Sequence, residues 1–157
     1  MVLMKARFYM MVLVLCALTL FGCSKEKAES INLTSLVIGE WHCAPEGYDV
    51  DIYVAFDTEG SFNHYQRIGE GRYRHYAGTW FVEKDILNGT YSDSESWGSS
   101  YQVSFDGENM ILTATNGSQE AMIYTKTTIP VDVKNSAIAP YAAKSVNDNA
   151  ALDTRWF

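Results

Sequence analysis

The sequence predicts an all-β protein: an eight-stranded antiparallel up-and-down barrel followed by an irregular C-terminal tail. Three observations carry this. From about Ile38 to Lys126 apolar and polar residues alternate in short segments, the period of a half-buried strand. Each segment is bounded by turn-forming residues. No helical pattern of twelve or more residues separates them, so parallel strands with helical crossovers are excluded.

The strands are expected at 38–44, 49–56, 61–68, 72–83, 86–91, 100–105, 110–115 and 120–126. Between them lie Pro45-Glu46-Gly47, Asp57-Thr58-Glu59-Gly60, Gly69-Glu70-Gly71, Asp106-Gly107-Glu108-Asn109 and Asn116-Gly117-Ser118. Each places Gly, Asn or Asp where a turn needs positive φ. Sequential strands with such short links favour a closed barrel over a two-sheet sandwich, which uses longer Greek-key connections. An interior of this size is filled by side chains or holds one small ligand.

The 49–56 strand fixes one face. Val50, Ile52, Val54 and Phe56 alternate with Asp49, Asp51, Tyr53 and Ala55, so the apolar set points inward. A hairpin with Gly60 at a bulge pairs Phe56 with Phe62. Phe62, His64, Gln66 and Ile68 then also face in. Two polar side chains thus enter an apolar lumen, at a cost of about 1–3 kcal/mol each if unpaired. They satisfy each other and nearby hydroxyls, or they meet water or a ligand. The candidate ligand contacts are His64 and Gln66 as polar groups, with Val54 and Tyr101 in the apolar lining. The 72–83 strand offers two faces. If the one with Arg72, Arg74, Tyr76, Gly78 and Trp80 looks inward, the two arginines near the mouth could take an anion. The other reading is a solvated cationic patch.

Two stretches break the pattern. The polar loop 92–99 carries Trp97, either as an aromatic anchor on a rim or packed on the barrel. The tail 131–157 is either loosely ordered or laid against the wall through Tyr141, Trp156 and Phe157.

The first 23 residues give location. Lys5 and Arg7 precede an apolar run, Met10 to Phe21, and then Gly22-Cys23 and a polar stretch. This is the layout of an export signal cut before a cysteine, and it resembles a bacterial lipoprotein signal. The run is too short to span a bilayer core, which needs about twenty residues. The expected organisation is a signal peptide at 1–22, lipidated Cys23 with a tether to residue 35, a barrel at 36–130, and the tail. Removing Lys5 and Arg7 from the 12 basic residues leaves ten against 19 acids, a net charge of −9. Such a balance argues against nucleic acid, which requires clustered cations. Cys16 lies in the signal and Cys23 at the cut, so Cys43 has no disulfide partner. Beside His42 it supplies two metal ligands where zinc takes three or four; it is expected as a small buried residue.

Gly39-Glu40-Trp41 at the first strand resembles the Gly-x-Trp motif of lipocalins, in which the Trp closes the barrel base. Val54-Ala55-Phe56-Asp57-Thr58-Glu59-Gly60-Ser61-Phe62, Tyr76-Ala77-Gly78-Thr79-Trp80 and Leu87-Asn88-Gly89-Thr90-Tyr91 are similar to segments of the lipocalin-like domain lipoproteins of Bacteroides-type bacteria. The resemblance covers about residues 36–130. It implies a calycin-type barrel anchored at the outer membrane, on its periplasmic face or the cell surface, in a family whose activity is largely uncharacterised. Lipocalins pack an Arg from a late strand on the motif Trp; here the late strands contain none, and Arg155 lies in the tail.

None of the common catalytic motifs is present, no enzyme is expected and no cofactor is implied. The function expected is binding of a small apolar or amphipathic molecule. The alternative is a filled barrel whose loops recognise a protein or glycan. Cys23→Ser is expected to move the protein from the detergent phase to the aqueous phase in a cloud-point partition. Unchanged partitioning would remove Cys23 as the anchor.

Overall fold

The computed structural model describes residues 32–140 and 155–157. The signal, Cys23 and the tether to residue 31 lie outside the described residues, as do residues 141–154 with Tyr141.

Eight strands close into one antiparallel barrel in sequence order. They are β1 Gly39–Cys43, β2 Val50–Phe56, β3 Ser61–Ile68, β4 Arg74–Glu83, β5 Ile86–Tyr91, β6 Tyr101–Asp106, β7 Asn109–Ala114 and β8 Ala121–Lys126. Every expected strand is present, with its ends shifted by at most two residues.

The register of β2 against β3 is the expected one: Phe56 faces Phe62, Val54 faces His64 and Ile52 faces Gln66. Turn chemistry fixes it. The Asp57 N–H donates to the Ser61 carbonyl at 3.0 Å. The Asp57 carboxylate accepts from the Glu59 N–H, the Ser61 N–H and the Ser61 hydroxyl at 2.9, 2.8 and 2.6 Å. Gly60 supplies the left-handed residue at φ +80°, where a Cβ would be strained.

One end is closed by a short helix, α1 Leu33–Val37, which takes up the last residues of the expected tether. Trp41 donates its indole N–H to the Val37 carbonyl at 2.8 Å, and both side chains are fully buried. Lys126 of β8 brings its ammonium 5.5 Å from the Trp41 ring. This is a cation–π contact of about 0.5–2 kcal/mol.

The tail does not begin as irregular chain. Pro130 precedes a second helix, α2 Val131–Ser136, and Ile138 pairs in parallel with Arg74. Six residues are too few for a period to show in sequence; such a helix exists because its apolar side is covered. Ile129 and Val133 pack on Tyr65 in a small cluster outside the barrel, flanked by Tyr53, Ala55, Tyr73 and Ala137. Glu40 pins this segment, accepting from the Ile129 N–H at 2.6 Å and from Lys134 Nζ at 2.8 Å. Arg72 donates to the Ser136 carbonyl at 2.9 Å and Arg74 to the Ala139 carbonyl at 3.3 Å. The face carrying Tyr76 and Trp80 does look inward, but both arginines are engaged by backbone oxygens of the tail.

The barrel wall is uneven. β5 and β6 pair only at Ile86–Gln102 and Leu87–Tyr101. Beyond Leu87 the 92–97 loop takes the place of β6: Ser96 bridges Thr90, and the Trp97 N–H donates to the Gly89 carbonyl at 3.1 Å. The Trp97 side chain is thereby buried inside the barrel, not displayed on a rim. Gly89 is the residue that admits it: a Cβ there would lie 2.1 Å from the indole. Gly89→Ala is expected to cost about 1–3 kcal/mol through overpacking. In urea melts, Gly89→Ala combined with Trp97→Leu should cost less than the sum of the single changes. Simple additivity would deny the steric link.

Candidate functional site

β-strand alternation aims Val54, His64, Gln66 and Tyr101 into the lumen, and all four are buried. His64 lies between Val54 on β2 and Tyr76 on β4. Tyr101 opens β6 at the end of the barrel opposite Trp41. The four expected contact residues therefore share one compartment. The three histidines do not. On the outer face the His42 Nε2 lies 2.6 Å from Asp51, and His75 bonds Asn63 at 2.8 Å while stacking on Tyr65. Cys43 is buried as expected; burial first, then the Asp51 charge, pushes its thiol pKa up to about 12. No group of three or more His, Cys, Asp or Glu among the described residues is arranged to hold a metal ion.

The compartment has an occupant that strand periodicity did not place there. Residues 155–157 enter from the open end, and Phe157 is buried. Its ring stacks on Trp97 at 4.4 Å between centroids with 18° between planes. It also runs nearly parallel to Tyr124 at 6.4 Å. His64 lies 4.7 Å away and Tyr101 meets it edge-on at 5.8 Å. Trp156 donates its N–H to Gln66 Oε1 at 2.9 Å, and its carbonyl accepts from the Tyr101 hydroxyl at 3.3 Å. The Tyr91 hydroxyl donates to the backbone oxygen of Phe157 at 3.1 Å. Arg155 bonds Asp93 at 2.5 Å and lays its guanidinium 4.7 Å over the Tyr91 ring. Trp156 itself points its indole N–H at the Met122 sulfur and meets Tyr48 edge-on at 5.5 Å.

Burial sets the protonation of these groups. It raises the Tyr101 pKa to about 12, with a smaller push from Glu120, and it raises that of Tyr91 as well. Both hydroxyls thus stay donors at neutral pH. Arg155 holds Asp93 below the usual carboxylate range. Desolvation, with a minor contribution from His75, drives His64 down to about 3. His64 is therefore a neutral imidazole. Among the described residues neither of its ring nitrogens has a hydrogen-bond partner, nor has the buried Tyr124 hydroxyl or the Trp97 indole N–H. Native interiors pair nearly all such groups; these three side chains are exceptions gathered in one lumen.

Above the occupant a cleft of about 720 Å³ is lined in part by Cys43, Tyr48, Tyr101, Met122, Trp156 and Phe157. A second, of about 560 Å³, flanks the segment between Tyr91, Asp93, Ser96 and Arg155. Sequence reading missed Tyr91, Trp97, Tyr124 and the 155–157 segment as lumen groups. The available signal was Gly89: a glycine inside a strand marks a close approach.

No family model matches the chain, and no curated protein matches it. It is similar in fold to a solved structure, the NMR structure of a protein from Bacteroides uniformis ATCC 8492. The TM-score is 0.50 at 10% identity, over 60% of this chain and 92% of that one. The likeness is one of fold.

The histidine gives a pH prediction. His64 titrates near 6.5 when unfolded and near 3 when folded. Between these values the unfolded chain holds the extra proton, so stability is complete above pH 6.5 and falls as the pH drops toward 3. His75, also lowered by burial, acts in the same direction. His64→Leu should flatten the stability profile between pH 4 and 6 by up to about 1.4 kcal/mol per pH unit. Urea titrations at several pH values test this; an unchanged slope would mean His64 is solvated.

Proposed function

We propose that this protein is a lipid-anchored, extracytoplasmic, lipocalin-like barrel that binds a small apolar or amphipathic molecule rather than catalysing a reaction. Anchoring rests on the lipoprotein-like signal and Cys23, and the location on the outer membrane rests on the family resemblance. One observation carries the binding reading. A lumen walled by aromatic rings keeps buried, unpartnered polar atoms on His64, Tyr124 and Trp97, beside a cleft of about 720 Å³. Ligand sites combine an apolar lining with a few convergent polar groups, and this lumen has both. His64, Gln66, Val54 and Tyr101 are the proposed contacts.

A second reading has its own support. Trp97 and Phe157 fill much of the lumen, as a barrel that recognises a protein or glycan through its loops would require. Native mass spectrometry of residues 24–157 from the native host, with solvent extraction, separates the two. A discrete mass lost on denaturation supports the carrier. His64→Ala should then weaken its binding roughly tenfold, the value of one buried hydrogen bond, without unfolding the barrel. A clean protein mass, with no uptake of an apolar fluorescent probe, favours the filled barrel.

A further inference from the structure

We infer that the lumen is a recognition site for a peptide strand with adjacent aromatic side chains after a cation, and that Arg155-Trp156-Phe157 is its exchangeable resident. The inference rests on the binding reading above and names the ligand class for the same site.

The contacts are those of a receptor with a peptide. Residues 156 and 157 belong to no strand of the barrel, so their backbone groups are not met by a sheet ladder. Side chains meet them instead: Gln66 accepts the Trp156 N–H, Tyr101 donates to the Trp156 carbonyl, and Tyr91 donates to the Phe157 oxygen. Each side chain is read separately. The Phe157 ring stacks on Trp97 and lies nearly parallel to Tyr124. The Trp156 ring lies against Tyr48 and Met122. The Arg155 charge meets Asp93 and the faces of Tyr91 and Tyr76. Backbone bonds give orientation and side-chain pockets give specificity, the division of labour found in peptide-binding modules.

Two features mark the resident as exchangeable. It leaves His64, Tyr124 and Trp97 with unmet polar atoms, so a ligand with one more donor or acceptor gains where the resident does not. Open clefts also lie on both flanks of the segment, leaving room for a larger ligand. A tethered segment competes at an effective concentration on the order of millimolar. Free peptide therefore enters readily only once the tether is cut.

The test uses the full mature chain with a protease site placed within residues 141–154, cleaved after folding. The probe is a fluorescent peptide of residues 150–157. Saturable one-to-one binding to the cleaved protein is expected, with at least tenfold weaker binding to the uncleaved one. At least a tenfold loss is expected on Phe157→Ala in the peptide, and again on Gln66→Leu in the barrel. No peptide binding, with circular dichroism showing an intact barrel, overturns the inference. If an apolar probe such as N-phenylnaphthylamine still enters, only the peptide class falls; if it does not, the binding reading falls with it. Should cleavage unfold the protein, the uncut chain carrying Phe157→Ala takes its place, with the same expected gain of peptide binding and the same overturning result.

Discussion

An eight-stranded barrel encloses a space that has to be filled, and the filling is the constraint on which this structure depends. Empty apolar volume costs dispersion contacts on every wall. Strand side chains fill part of it: Trp41, Met110, Leu112, Ile52 and Leu87 are fully or almost fully buried. They do not suffice, because the inward positions Gly78 and Gly89 contribute no side chain. Trp97 from a loop and Phe157 from the tail complete the interior, stacked on each other. The break in β5–β6 pairing, the fold-back of the 92–97 loop and the entry of residues 155–157 are three aspects of one packing solution.

Two sets of polar groups stand out in the lumen. Gln66, Tyr91 and Tyr101 are spent on the backbone of residues 156 and 157. They hold the segment in one orientation. His64, Tyr124 and Trp97 have no such bond, and a stable fold tolerates them only at a cost of about 1–3 kcal/mol each. The two sets lie around the same ring, that of Phe157. In the proposed binding role, stability and ligand would draw on one compartment, and whatever entered it would trade against the resident segment.

The outer face shows the opposite economy. Asp51 receives the His42 ring nitrogen, the Arg67 guanidinium and the Tyr73 hydroxyl, joining β1, β2, β3 and the chain that leads into β4. Here a carboxylate, an imidazole and a phenol are gathered on a strand surface, with aromatic rings of Tyr53 and Tyr73 packed beside them. Their charges and donors tie strands together.

Much of the fold was legible because strand structure is local. Alternation in Val50–Phe56 and the Asp57–Gly60 turn specify a face and a register from a dozen consecutive residues, and the His64 and Gln66 orientation followed from them. Helix α2 was not legible, since six residues carry no period and its stability comes from Tyr65 and Glu40, distant in sequence. The same applies to the site. The sequence by itself determined which strands exist, how β2 meets β3 and which of their side chains point inward, because period and turn chemistry act between neighbours. Only the tertiary structure decided what fills the lumen. Trp97 and Phe157 meet there across sixty positions of chain, and closure of the barrel, not any local preference, brings them together.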